Sequence, residues 1–273
     1  MRTASEAIVA AAGCSSTRTN SNTASGSASA GGAGSLIGVA MPTKSLERWN
    51  RDGSHLESLL KTAGYQVSLQ YADNKHDQQT SQLQNMINDG AKVLVIASID
   101  GTAIGPILST AASKGVKVIA YDRLINGSPN VDYYATFDNY KVGQLQGQYI
   151  LDNLDKFKGS DGTINMEPFA GSTDDNNAKF FFAGAWDLVN PKVQEGAVRV
   201  PSVKAPKTDA DWAKIGIPAW LSATAQSEMQ NRLNSSCAGG KKVNIVLSPS
   251  DSLALGIEQA LDGAGYRSAP TGR

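Results

Sequence analysis

From residue 36 onward, short apolar runs alternate with longer amphipathic ones. Leu36–Ala40, Gln66–Tyr71, Lys92–Ala97 and Val116–Tyr121 read as strands. Lys92–Ala97 is apolar after its first residue, as a parallel strand covered on both faces should be. Between these runs lie Trp49–Ala63, Gln78–Asn88 and Ile104–Lys114, whose apolar residues recur at helical spacing. Leu56, Leu59 and Leu60 mark the buried face expected of the first helix, and Leu83, Met86 and Ile87 that of the second. Gly64 and Gly115 supply helix stops. Strand and helix in strict alternation predict right-handed crossovers and a doubly wound parallel sheet.

The same alternation then begins again. Tyr133–Thr136, Thr163–Phe169 and Val243–Leu247 read as strands, with a weaker one at Ala197–Val200. Tyr140–Leu154, Asn176–Leu188, Ala223–Asn234 and Ser252–Ala264 read as helices. Residues 200–221, with Pro201, Pro206 and Pro218, read as loop. The pattern predicts two α/β lobes, residues 35–137 and 138–273, with the crossing near Phe137–Asp138. After the helix Ser252–Ala264 the residues turn polar, so the second sheet either ends there or belongs to a fragment.

Residues 15–34 are almost entirely Ser, Thr, Asn, Ala and Gly. Such a stretch buries too little apolar surface to offset its ordering entropy. It is expected to be a flexible tether with a mean reach of ~25 Å. Residues 1–14 carry Arg2, a short apolar stretch and then Cys14, the layout of a bacterial lipoprotein signal whose Cys is lipidated. Glu6 and Ala11 depart from that layout. A lipid anchor followed by a tether predicts residence at the outer face of the cytoplasmic membrane, or in the periplasm. Cys237 reads as a lone thiol at a helix end, so the two cysteines form no disulfide framework.

Lys plus Arg and Asp plus Glu both number 25, so the chain has no basic excess with which to hold nucleic acid. The candidate chemistry sits instead at two predicted strand ends. Leu36–Ala40 empties into Met41-Pro-Thr-Lys-Ser-Leu-Glu-Arg-Trp49, which brings Lys44, Arg48 and Trp49. Val116–Tyr121 empties into Asp122 and Arg123. Ligands of open α/β sheets bind outside the carboxyl ends of the strands. Cationic donors beside an aromatic plate suit a neutral, hydroxyl-rich ligand: the cations donate hydrogen bonds, and the ring covers the apolar C–H face of a pyranose. Each residue also has a plainer role open to it. Lys44 and Arg48 serve equally as solvated charges, Trp49 as core, and Asp122–Arg123 as a surface ion pair worth little. The quartet Asp174-Asp175-Asn176-Asn177 precedes a helix, so one member is expected to cap it and another to reach a cleft. Asp251 is likewise a cap or a ligand group, and Phe180-Phe181-Phe182 is core with one ring free to line the cleft.

Catalysis finds no support. The only histidines, His55 and His76, lack the spacing of a metal site. There is no nucleophile elbow and no Walker-type loop, and nothing desolvates Lys44 for Schiff-base chemistry.

In order, Met41-Pro-Thr-Lys-Ser-x-x-Arg-Trp49, Val93-Leu-Val-Ile-Ala-Ser-Ile-Asp-Gly101, Val118-Ile-Ala-Tyr-Asp-Arg-Leu124, Tyr133-Tyr-Ala-Thr-Phe-Asp-Asn139, Asp174-Asp-Asn-Asn-Ala178 and Ser248-Pro-x-Asp-x-Leu253 form a signature. Over residues 36–266 the chain resembles the periplasmic multiple-monosaccharide-binding proteins of bacterial ABC importers, relatives of the xylose-, arabinose-, galactose- and ribose-binding proteins. The resemblance implies a type I periplasmic binding fold: two doubly wound parallel-sheet lobes closing on one sugar. It implies no enzyme activity and no cofactor. The expected ligand is an aldopentose or aldohexose, and the expected partner an ABC permease, with a membrane sensor of chemotaxis or two-component type as the alternative. The protein is expected to be a monomer. An effector domain of a transcription regulator shares the fold, but residues 1–35 contain no DNA-binding helix pair. Carried over by motif, the sugar-binding residues are Lys44, Arg48, Trp49, Asp122 and Arg123 from the first lobe. From the second come Asp251, one of Asn176 and Asn177, and also Glu167. The family segment Trp-x-x-x-Thr-Ala matches Trp220–Ala225 and nominates Thr224, although Ala219 stands where the family has Arg. Family members run on beyond the end of this chain, so the resemblance also implies that its second lobe and hinge are incomplete.

Overall fold

The computed structural model describes residues 32–237 and 242–266. Cys14 and residues 15–31 of the tether lie outside the described residues.

Five strands build the first sheet: β1 (Leu36–Met41), β2 (Gln66–Tyr71), β3 (Val93–Ile96), β4 (Lys117–Tyr121) and β5 (Tyr133–Ala135). Their spatial order is β2-β1-β3-β4-β5 and every pairing is parallel. Helices α1 (Glu47–Thr62), α2 (His76–Asn88) and α3 (Gly105–Ser113) make the crossovers. The two-residue side-chain period of a strand divides the core between two faces. Ala40, Leu94, Ile96, Val118 and Ala120 meet Leu83 and Met86 of α2 and Leu108 of α3. Ile37, Val39, Met41, Val95 and Ala97 instead meet Trp49 and Leu56 of α1. Each large side chain so buried contributes about 1.5–3 kcal/mol. Leu59 departs from expectation, being 54% exposed. The stripe of α1 that meets the sheet runs through Trp49, Gly53, Leu56 and Leu60, and Leu59 falls beside it.

The chain crosses to the second lobe between β5 and α4 (Asn139–Asp152), where Asp138 caps α4 by accepting from the Lys141 N–H at 2.9 Å. Among the described residues the second sheet has two parallel strands, β6 (Met166–Pro168) and β7 (Ile245–Leu247). Around it pack α4, α5 (Asn176–Gln194), α6 (Ser222–Ser235) and α7 (Asp251–Gly263). Met166, Ile245 and Leu247 join Phe182 and Val189 of α5 on one side. Met229, Leu253 and Ile257 pack with Phe169 and Trp220 on the other. Helices α4 and α5 approach so closely that a Cβ at Gly143 would collide with the Phe181 carbonyl, and one at Gly184 with that of Tyr140.

Three expectations are corrected here. Ala197–Val200 is no strand, since Arg199 makes only an isolated bridge to Asn165 before the chain turns through Val203 at φ +59°. Residues 200–221 contain two short 3₁₀ helices, Asp209–Ile215 and Pro218–Trp220; the first is stabilised by a capping box between Thr208 and Asp211. Helix α5 runs to Gln194 with Pro191 inside it. Proline removes one intrahelical donor, but Val189 and Val193, packed in the core, carry the helix through.

Candidate functional site

A cavity of about 1310 Å³ opens between the lobes, at the carboxyl ends of the first-lobe strands. The start of α1 brings Arg48 and Trp49 to it, and the turn after β4 brings Asp122 and Arg123. The opposing wall has Asp175 and Asn177 at the start of α5, with Phe181 one turn on. Trp220, and Asp251 at the start of α7, complete that wall.

Asp122 is the pivot of the first-lobe half. Its backbone is left-handed, φ +62°, a conformation that Asp tolerates better than most residues. Three contacts on its carbonyl hold the turn: Tyr134 Oη donates at 3.2 Å, Thr136 Oγ1 at 2.8 Å and Asn177 Nδ2 at 3.0 Å. The turn sends the buried Asp122 carboxylate toward Arg48, whose Nη2 donates to Oδ1 at 2.6 Å. Burial works to lower the Arg48 guanidinium, but Asp122 more than offsets it and leaves the group above its ordinary value. Arg123 is buried beneath, with Nη1 donating to the Ser98 carbonyl at 3.2 Å. Trp49 lies under both cations, its ring centre 4.9 Å from the Arg48 Cζ and 5.4 Å from that of Arg123. Such stacking fixes guanidinium planes.

Asp175 organises the second-lobe half. It caps α5 by accepting from the Asn177 N–H at 3.0 Å, and its Oδ2 accepts from Trp220 Nε1 at 3.1 Å. Burial pushes its carboxyl above the ordinary value, against the pull of Arg123. Asn177 links the halves, donating to Asp122 and accepting at Oδ1 from Asn139 Nδ2 at 2.9 Å. Ala219 and Trp220 are both left-handed, at φ +53° and +56°, a strained pair for residues with side chains. The strain is held because Ala219 N–H donates to Ser172 Oγ at 2.7 Å and the Trp220 ring packs against Gly171. Phe181 meets that ring edge-on at 6.4 Å.

Arg48, Trp49, Asp122, Arg123, Asn177 and Asp251 thus share one cavity. Ser250, rather than Asp251, caps α7, accepting from the Leu253 N–H, which leaves the Asp251 carboxylate on the wall. Four expected residues lie elsewhere. Lys44 turns away, its Nζ 5.1 Å from the Tyr71 ring centre. Asn176 and Thr224 occupy helix first turns off the cavity wall. Glu167 is fully buried inside the second lobe, pairing with Arg232 Nη1 at 3.1 Å and accepting from Ser202 N–H at 3.0 Å. Two of these have separate causes: β6 buries Glu167 within the lobe against Arg232, and the helical turn selects Asn177 over Asn176. Asp175 and Trp220 were not singled out as site residues. The acidic-amide quartet and the Trp-x-x-x-Thr-Ala segment contained them, but only the fold joins residues so far apart.

The profile of the periplasmic binding protein domain matches residues 37–272. The chain belongs to the periplasmic binding protein family. It is 47% identical over 232 residues to the multiple sugar-binding periplasmic protein SbpA of Azospirillum brasilense, covering 85% of this chain and 63% of SbpA. It is also 47% identical over 230 residues to the multiple sugar-binding periplasmic receptor ChvE of Rhizobium radiobacter, covering 84% and 63%. The chain therefore spans less than two thirds of the length of these relatives. Among solved structures, an ABC transporter solute binding protein from Clostridium phytofermentans with bound β-D-glucose superposes with a TM-score of 0.77. It is 48% identical, covering 84% of this chain and 68% of that one.

Chemically, this binding-protein cavity offers charged hydrogen-bond donors and acceptors held from two lobes, with an aromatic plate from each. Among the described residues no group of three or more His, Cys, Asp or Glu is placed to hold a metal ion. No helix among them is long and apolar enough to cross a membrane.

Proposed function

We propose that the protein captures a monosaccharide between its lobes and delivers it to an ABC permease, without chemical change to the sugar. The observation that carries this reading is the paired arrangement of Trp49 beneath Arg48 and Arg123, opposite Trp220 beside Asp175. The two rings add apolar surface to the cavity wall, which suits the C–H faces of a sugar ring. Arginines and carboxylates at its edge make charge-assisted bonds to hydroxyls, which both accept and donate. The SbpA and ChvE names and the glucose-bound relative support an aldohexose or aldopentose. The same relatives support a place in the periplasm or at the outer face of the cytoplasmic membrane, anchored through Cys14 as the leader suggests. A second role, presenting the loaded form to a membrane sensor, is favoured by the name receptor that ChvE carries.

Isothermal calorimetry with the full-length protein tests the reading across D-glucose, D-galactose, D-xylose and L-arabinose, with amino acids as controls. Saturable binding of at least one sugar is expected. Binding of amino acids or peptides alone would overturn it.

A further inference from the structure

Arg48 is anchored at a second point outside the contacts that face Asp122. Its Nε lies 3.4 Å from Asp52 Oδ2, one helical turn along α1. An i,i+4 ion pair of this kind is ordinarily worth little. This one is braced from the sheet: Tyr121, the last residue of β4, donates its phenol O–H to the same Asp52 oxygen at 3.2 Å. Burial first, and Asp52 second, push the Tyr121 phenol up to about 12, so it remains a donor at neutral pH. Asp52 thus has a fixed place on the cavity wall rather than the freedom of a surface carboxylate.

The consequence for Arg48 is geometric and electrostatic. A guanidinium tied at Nε by Asp52 and at Nη2 by Asp122 has its plane fixed, and stacking over Trp49 reinforces that plane. Its remaining N–H groups then keep fixed directions within that plane. The single positive charge also sits between two carboxylates, so the local field opposes an anionic ligand while the N–H groups still serve hydroxyls.

We infer that Asp52, braced by Tyr121, is a positioning residue that orients Arg48 and cancels its charge, so that the cleft favours neutral saccharides over saccharides bearing a carboxylate. This rests on the sugar-binding reading above.

Calorimetry on the full-length protein with D-glucose, D-galactose and D-xylose, and with D-glucuronate and D-galacturonate, tests the inference in a double-mutant cycle. The proteins are wild type, Asp52→Asn, Arg48→Ala and the double variant, with Tyr121→Phe as an independent probe and thermal melts to confirm folding. Asp52→Asn should weaken the neutral sugars by about two- to fivefold and shift the ratio of uronate to neutral-sugar affinity toward the uronates. The weakening of neutral-sugar binding should vanish once Arg48 is alanine, because on those sugars Asp52 acts through it, whereas the ratio shift, carried in part by the Asp52 charge itself, should persist. Tyr121→Phe should shift the ratio in the same direction by less. Effects of Asp52→Asn and Arg48→Ala on neutral-sugar affinity that simply multiply, or a ratio unchanged by Asp52→Asn, would overturn the inference while leaving sugar binding intact. A wild type that binds none of these sugars would instead remove the reading on which it rests.

Discussion

Arg123 Nε of the first lobe and Asp175 Oδ2 of the second lie 3.1 Å apart, and both side chains are almost wholly buried. The Arg123 Nε–H does not point along that line and has no well-aligned acceptor, so the contact is ionic rather than a good hydrogen bond. The pair nevertheless joins the lobes at the cavity, and the same Asp175 oxygen also receives the Trp220 indole N–H. One carboxylate therefore connects the first-lobe cation Arg123, the Trp220 ring and the cap of α5.

Removing that carboxylate should be costly for folding. Asp175→Ala leaves Arg123 uncompensated and Trp220 without its acceptor. Breaking a buried pair by deleting one partner typically costs ~3–5 kcal/mol. Urea unfolding should show a fall of that order, and a change under 1 kcal/mol would mean that the pair behaves like a surface one.

The pH dependence of the same group has a definite sign. Burial raises the folded-state value of Asp175 above its ordinary one. The folded chain therefore holds this proton more tightly than the unfolded chain does. The associated stability is complete below the ordinary carboxylate range and is lost as pH rises through the raised folded value. Asp175→Asn lacks that loss. The unfolding free energy of wild type minus that of the variant should fall as pH rises across this window, measured by urea titrations at several pH values. A difference that rises with pH would show that Arg123 outweighs burial.

Much of this was legible in the chain because local pattern and local structure coincided. The central strand β3 is covered on both faces, so Val93–Ile96 could be read from apolar continuity alone. Asp122 and Arg123 were legible because they follow β4 directly, and Arg48 and Trp49 because they open the helix that the β1 loop leads into, both at the carboxyl edge where ligands of open α/β sheets bind. Leu59 misled because helical spacing narrows the buried face without fixing its edge. Glu167 misled because a carboxylate in a short strand looks the same in sequence whether it meets a ligand or a buried arginine. Its partner Arg232 lies on α6, and only the packed fold brings the two together. Trp220 depended on two consecutive left-handed residues, for which Pro218-Ala219-Trp220 carries no glycine as a warning.

The seat of Trp220 can be tested through its neighbour. A Cβ at Gly171 would collide with the Trp220 ring, so Gly171→Ala must displace the indole. Overpacking of this kind typically costs ~1–3 kcal/mol. The variant should melt lower and show altered tryptophan fluorescence. Unchanged fluorescence would mean that the ring does not rest on Gly171.

At Asp122, charge and backbone can be separated. Asp122→Asn keeps a side chain tolerated at φ +62° but removes the charge that faces Arg48. Asp122→Ala removes the charge and also strains the left-handed turn, at ~1–2 kcal/mol. Both should weaken sugar binding by roughly 1–3 kcal/mol, the cost of losing hydrogen bonds to a charged group when its partner Arg48 is half exposed. Only the alanine variant should lose the additional stability. Normal affinity in a folded Asp122→Asn would remove Asp122 from the sugar contacts.

Glu167 should behave as the opposite case. Arg232 is buried to 2% exposure, with its Cζ 3.9 Å from the Phe169 ring centre. It donates from Nη1 to Glu167 and to the Pro168 carbonyl, and from Nε to Glu228. Glu167→Gln preserves an acceptor for the Ser202 N–H but removes one of the two carboxylates balancing Arg232. Because Glu228 remains, the expected loss is that of a hydrogen bond to a charged group, ~1.5–3 kcal/mol, rather than of an isolated buried charge. That loss belongs to folding and not to binding, since the carboxylate lies within the lobe and away from the cavity wall. Denaturation should therefore show reduced stability, and calorimetry unchanged sugar affinity at temperatures where the variant is folded. A folded Glu167→Gln that no longer binds sugar would return Glu167 to the ligand set and require the Arg232 pair to open when sugar enters.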